Sequence, residues 1–208
     1  MKVLVIGAGN MGSGFVKQLS AAGHQVMVTA RDLGKAEALA GQYGAKATRA
    51  PGAAAAAEAV ILATPYADAA AALRSVGSIE GKPVIDITNP LTPDYMGLTL
   101  GHSTSAAEQI AEAVPGAEIV KGFNTVFAQI LVQGASLGGQ QVTVFLASDS
   151  ERAKQTARSL AESMGFRTMD AGGLKNARYL EPLAGLNIYF GYGAGLGTSV
   201  APAWIQQN

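Results

Sequence analysis

The chain has no cysteine, only two histidines and one tryptophan, and no formal net charge, with 15 Lys+Arg against 15 Asp+Glu. Without cysteine there is no disulfide scaffold, no thiol nucleophile and no Cys-based zinc or iron–sulfur site. His24 and His102 alone offer almost no material for a His-rich metal site. A neutral chain of pI near 6.7 lacks the basic field that nucleic acid or an anionic membrane requires, so neither is expected as a partner. Charged residues make up only 14% of the 208 positions and hydrophobic residues 49%, which excludes disorder and leaves enough apolar material for a sizeable core. No signal-peptide core is visible: residues 2–6 are too short an apolar run and are followed by glycines. A protein of the cytoplasm is therefore expected. Residues 183–208 carry no charge at all, but Gly185, Asn187, Gly191, Gly193, Gly195, Gly197 and Pro202 break that stretch up. It reads as closely packed structure, at the core or at a subunit interface, rather than a membrane helix.

What the chain does have is small residues. Glycine accounts for 26 positions and alanine for close to one in five. Apolar periodicity predicts strands over 2–6, 25–30, 59–63, 83–87, 118–121, 141–147 and 167–170, with helices over 11–21, 35–43 and 68–76. Another helix should start at Ser105, which has capping-box spacing to Glu108. One more should run from Asp149/Ser150 to about Met164, and a last helical region should begin near Leu174. The alanine run 53–57 reads as a short surface helix. Residues 89–103, with Pro90, Pro93, Gly97 and Gly101, read as a long functional loop. Continuous apolar strands alternating with helices predict an α/β fold: a Rossmann-like, doubly wound, mostly parallel sheet with a small helical C-terminal part. The whole of 1–208 reads as one domain, with 172–208 as its C-terminal segment.

The first strand runs into Gly7-Ala8-Gly9-Asn10-Met11-Gly12, a G-x-G-x-x-G opening a helix. In that position the spacing points to a dinucleotide pyrophosphate. Gly7 would make the turn, Gly9 would admit the phosphate, Gly12 would let helix and strand approach, and the helix N-terminus would supply N–H groups. At the end of the second strand the usual ribose-binding acid position falls on Ala30 or Thr29. Arg31 follows, with Lys35 one helical turn on. A hydroxyl, a guanidinium and an ammonium suit a 2′-phosphate, so NADP rather than NAD is expected. Asp32 is the competing ribose acid, although it stands where a helix N-cap belongs.

The other strand ends read Ala63-Thr64-Pro65-Tyr66, Thr88-Asn89-Pro90-Leu91 and Phe123-Asn124-Thr125-Val126-Phe127. They offer rings and amides but no Ser–His–Asp set, HExxH or G-x-S-x-G. No catalytic acid or base is expected, and no metal. Such a site suits hydride transfer between two redox cofactors, where orientation does most of the work.

Together G-A-G-N-M-G, T-A-R, A-T-P-Y, T-N-P-L, G-F-N-T-V and D-A-G-G-L-K-N-A-R-Y-L-E-P-L resemble the NADP oxidoreductase, coenzyme-F420-dependent family over nearly the whole chain. The resemblance implies an NADPH-binding Rossmann domain whose C-terminal part helps form a homodimer. It also implies a nicotinamide ring near Ala63, Thr64, Pro65, Tyr66, Asn89 and Pro90. The second cofactor would lie against Asn124, Thr125, Val126, Phe127, Leu174, Arg178 and Leu196, with no side chain acting as acid or base. Where members that reduce F420 have a histidine, this chain has Asn124. The F-N-T spelling is also similar to the cytosolic domain of the six-transmembrane metalloreductases. The implied acceptor is F420 or a flavin, FMN or FAD. An imine or hydroxyacid reductase and a non-enzymatic NADPH sensor are the competing readings.

Overall fold

The computed structural model describes residues 1–205. Its first unit is β1 (Lys2–Ile6), α1 (Asn10–Ala21), β2 (Gln25–Thr29), α2 (Leu33–Tyr43) and the short β3 (Lys46–Ala47). The second is β4 (Ala59–Leu62), α3 (Ala69–Ser75), β5 (Pro83–Asp86), α4 (Ala106–Ala113) and β6 (Glu118–Lys121). These six strands form one parallel sheet in the order β3-β2-β1-β4-β5-β6. This is the Rossmann order, and its reversal between β1 and β4 opens a crevice at the carboxyl ends of the strands.

After β6 come α5 (Ala128–Gln133), a hairpin of β7 (Ser136–Leu137) and β8 (Gln140–Gln141), β9 (Thr143–Leu146), α6 (Glu151–Ser163) and β10 (Arg167–Asp170). β9 and β10 pair in parallel. β9 meets the main sheet through a single antiparallel bridge, Lys121 to Ala147. The chain ends in α7 (Ala177–Ile188), which contains Pro182, and a π turn, Tyr189–Gly193. As far as residue 205 the uncharged stretch is thus helix, turn and irregular chain, and its last three residues lie outside the described residues. Among the described residues no helix is long and apolar enough to cross a membrane.

Each central strand is buried on both faces, which explains its unbroken apolar run. Val3 and Val5 of β1 face one core with Phe15, Val16, Leu19, Phe123 and Phe166. Leu4 and Ile6 face the other with Val60, Leu62, Leu73 and Ile110. Phe123, held at φ +60°, stacks edge-on between Phe15 at 5.0 Å and Phe166 at 5.6 Å. Local signals set the helix starts: Asp32 accepts from the Lys35 amide, Ser105 from the Glu108 amide and Ser150 from the Ala153 amide.

Three expectations are corrected. Ala53–Ala56 form a single 3-10 turn and Ala57 after it is extended, with Ala53, Ala54 and Ala57 buried, because these small side chains let the turn sit directly on the sheet. α5 was not anticipated, since its sequence AQILVQ has too few turns to show helical periodicity. Asp149 does not cap α6; its carboxylate accepts from the Leu174 amide at 2.9 Å and ties the C-terminal segment down.

Candidate functional site

The glycine loop lies at the reversal of strand order. Gly7 has φ +119°, a conformation that disfavours side chains, and a Cβ there would come within 2.3 Å of the Ala63 carbonyl oxygen. A Cβ on Gly12 would stand 1.9 Å from the Gly7 carbonyl, so helix and loop touch only because both positions are bare. Gly9 differs: nothing lies within 4 Å of where its Cβ would be. No side chain caps α1 and no acid stands in its first turn. The helix therefore presents N–H groups and a positive dipole end where Gly9 leaves open space, which suits an anion. Asn10 is exposed and Met11 half-buried beside it.

At the end of β2 the predicted residues separate. Thr29 is buried, its hydroxyl has no hydrogen-bond partner, and only its carbonyl is engaged, by the Gly7 N–H at 2.8 Å. Its carbonyl supports the turn, and its hydroxyl is buried. Arg31 and Lys35 are exposed. The Arg31 guanidinium reaches across the crevice to the Asp68 carboxylate at 3.5 Å. Asp32 is engaged as the α2 cap by accepting from Lys35 N–H.

At the end of β4, Ala63 and Thr64 are half-buried and Pro65 exposed. Tyr66 donates its hydroxyl hydrogen bond to Gln109 of α4. Burial, and then the charges of Glu181 and Asp86, hold the Tyr66 phenol above its ordinary pKa, with Lys121 opposing. Pro90 is buried, whereas Asn89 is partly accessible. The Asn89 amide donates to the Asn124 carbonyl at 2.9 Å, and the Asn124 amide returns a bond to Asn89 Oδ1 at 3.1 Å. Asn124 also donates to the Leu180 carbonyl at 2.9 Å, so it laces the ends of β5 and β6 to α7.

The expectation for the second cofactor changes accordingly. Asn124, Thr125, Val126, Phe127 and Leu174 are buried. Phe127 lies under the π turn, edge-on to Tyr192 at 5.7 Å. These residues form the wall behind the crevice rather than its surface. Leu196 is exposed beyond the π turn. Arg178 borders a cleft of about 880 Å³. Leu98 to His102 of the long loop line one side of it; Lys175, Arg178, Tyr179 and Pro182 line the other. Arg178 grips Glu108 of α4 in a two-point ion pair, at 2.7 and 2.9 Å. That hydrogen bonding holds the Glu108 carboxyl below its ordinary pKa, against a smaller opposing effect of burial, with help from Ser105.

The sequence reading missed a cluster beneath the crevice. Lys121 is completely buried. It lies 2.7 Å from Asp86 Oδ2 and 2.9 Å from Glu181 Oε1, and it donates to the Thr88 carbonyl at 2.7 Å. Asp86 also accepts from the Thr88 N–H at 2.8 Å. Glu181 accepts from Ala106 and Ala107 at the start of α4, at 2.9 and 3.1 Å. The sequence signal was slight: Asp86 ends the otherwise apolar β5, and Lys121 follows Ile119 and Val120 at the end of β6. Among the described residues no group of three or more His, Cys, Asp or Glu is placed to hold a metal ion.

Comparison with known proteins bears on this geometry. Residues 2–90 match the family model of NADP oxidoreductase coenzyme F420-dependent. The chain is 34% identical over 206 residues to the F420-dependent NADP reductase of Methanothermobacter marburgensis, covering 90% of this chain and 91% of that one. It is 34% identical over 105 residues to the metalloreductase STEAP3 of Rattus norvegicus, which is 50% of this chain but only 20% of that protein. The crystal structure of a proposed F420-dependent NADP reductase from Arthrobacter sp. FB24 superimposes with a TM-score of 0.90 at 28% identity. It covers 99% of this chain and 100% of that one.

Proposed function

The chain belongs to the NADP oxidoreductase, coenzyme F420-dependent family, and on that premise we propose that it is an NADPH-dependent oxidoreductase passing hydride to a deazaflavin or flavin. The observation that carries this reading is the bare glycine loop: an uncapped helix N-terminus facing open space at Gly9, at the switch point of a Rossmann sheet. Residues 7–12 would hold the pyrophosphate. Arg31 and Lys35 on the β2 side would take the 2′-phosphate, with Arg31 leaving Asp68 to do so. The nicotinamide half then falls on the opposite side, over the ends of β4 and β5, beside Thr64, Pro65, Tyr66 and Asn89.

The acceptor belongs in the cleft between the long loop and α7. Its volume of about 880 Å³ is in the range of a site for a tricyclic cofactor, and Lys175 and Arg178 suit an anionic one. The reduced nicotinamide supplies a hydride, that is two electrons and one hydrogen nucleus, leaving a cationic ring, while the acceptor takes any further proton from solvent. The chain's residues bind and orient, and none is needed to move a proton at the reacting carbon. A second copy of the chain on the exposed face of α7 and the π turn completes the proposal as a homodimer working in the cytoplasm.

Two measurements test it. Arg31→Glu should weaken NADPH at least about tenfold more than NADH; equal losses for the two nucleotides would remove the 2′-phosphate assignment. Mixed with NADPH, the wild-type protein should reduce F420, FMN or FAD. Turnover only with cyclic imines or carbonyls would make it a reductase of another class, and binding without turnover a sensor.

A further inference from the structure

Asp86, Lys121 and Glu181 place two carboxylates against one ammonium in a fully buried setting. Buried ions are costly, and an apolar set of the same volume often stabilises a fold as well or better. The cluster is therefore poorly explained by stability alone. Its formal charge is one negative in excess. The N-terminus of α4 takes up part of that excess through its two N–H bonds to Glu181. The remainder is held at the carboxyl ends of β5 and β6, directly beneath Thr88, Asn89 and Asn124, with little water near it to screen it.

Asp86 and Lys121 close β5 and β6 at the carboxyl ends that face the crevice, and Thr88, which both of them contact, adjoins Asn89. Tyr66, at the end of β4 and bonded to Gln109 of α4, is the exposed-side neighbour of the cluster. Burial chiefly, and then the charges of Glu181 and Asp86, raise its phenol pKa, with Lys121 opposing. The proposed reaction changes charge at this same end of the crevice: the reduced nicotinamide is neutral and the oxidised ring carries one positive charge.

We propose that the Asp86–Lys121–Glu181 cluster is a field-setting, positioning element that favours the oxidised nicotinamide over the reduced one and so drives hydride out of NADPH. It touches neither ring nor acceptor. Its ammonium anchors both carboxylates, and because Glu181 belongs to α7 the same contact fixes that helix against the strand ends, beside the separate Asn124–Leu180 bond.

This inference rests on the reading that the crevice binds NADP(H), and the test separates the two. NADP+ and NADPH are titrated calorimetrically into the full-length wild type and into Glu181→Gln and Asp86→Asn, each of which removes one negative charge at nearly constant shape. In each variant the ratio of the Kd for NADP+ to that for NADPH should rise about fivefold, chiefly through weaker NADP+. A purely structural role would weaken both nucleotides alike, so an unchanged or reduced ratio overturns the inference while leaving NADP(H) binding intact. If neither variant folds, the wild type decides: NADP+ should bind about as tightly as NADPH or tighter, and NADPH binding more than about tenfold tighter overturns the proposal. A wild type that binds neither nucleotide overturns the reading of the crevice and this inference together.

Discussion

Two glycines of the same motif do different work, and substitution should tell them apart. At Gly7 a methyl group meets the Ala63 carbonyl at 2.3 Å on a backbone with φ +119°, and neither the carbonyl nor the turn can retreat without breaking the β1–β4 register. Gly7→Ala should cost about 2–4 kcal/mol of folding stability. At Gly9 the same methyl group meets nothing within 4 Å. Gly9→Ala should leave the folding stability within about 0.5 kcal/mol of wild type yet weaken NADPH binding, since the methyl group occupies the space kept for phosphate. Chemical denaturation and nucleotide titration of both variants read the two effects separately. If Gly9→Ala binds NADPH as wild type does, the loop is a turn and not a cradle.

At the scale of elements, the acceptor side of the molecule depends on how α7 is held to α4, and one link there depends on pH. The Glu108–Arg178 pair joins the two helices at 2.7 and 2.9 Å, with both side chains about a quarter exposed. Since the Glu108 carboxyl is held below its ordinary value in the folded protein, the pair's stabilisation is present above the unfolded carboxyl pKa of about 4.3. It is lost as pH falls through the lower folded value. Glu108→Gln should therefore cost about 1 kcal/mol near neutral pH, a difference that closes as both proteins are taken to about pH 3. A gap that persists into acid would mean that Glu108 acts through packing rather than charge.

The same helices show where sequence reading succeeds and where it stops. The parallel strands, the Gly7–Gly12 turn and the caps at Asp32, Ser105 and Ser150 were legible, because each is a local pattern with a local cause. The burial of Asn124 to Phe127 was not legible, because the π turn that covers them comes much later in the chain. Nor was the Asp86–Lys121–Glu181 cluster, since its members lie far apart in the chain and share no spacing. Thr29 misled for a related reason: strand alternation places it at the correct end of β2 but does not show that its hydroxyl faces inward.

On the scale of the whole molecule, one end carries a set of exposed apolar side chains. Tyr189, Phe190 and Tyr192 on the π turn, Leu186 and Tyr179 on α7, and Tyr95 and Met96 on the long loop are all more than two-fifths exposed. Tyr189 and Phe190 lie 6.1 Å apart, and Met96 reaches Gly193 beside them, so the patch is continuous across loop and turn. Isolated exposed apolar residues are ordinary, but a continuous aromatic patch on a neutral protein is the mark of an interface. A second copy of the chain is the proposed occupant. Light scattering on the purified protein should then give twice the chain mass of 21.1 kDa, and Leu186→Asp with Tyr189→Asp should return it to a monomer. Neither position touches the glycine loop, so that monomer should still bind NADPH. The cleft shares α7 and the long loop with the patch, however, so its apparent KM for the acceptor should rise while NADPH affinity holds. A wild type that is monomeric at all concentrations would assign the patch to another partner.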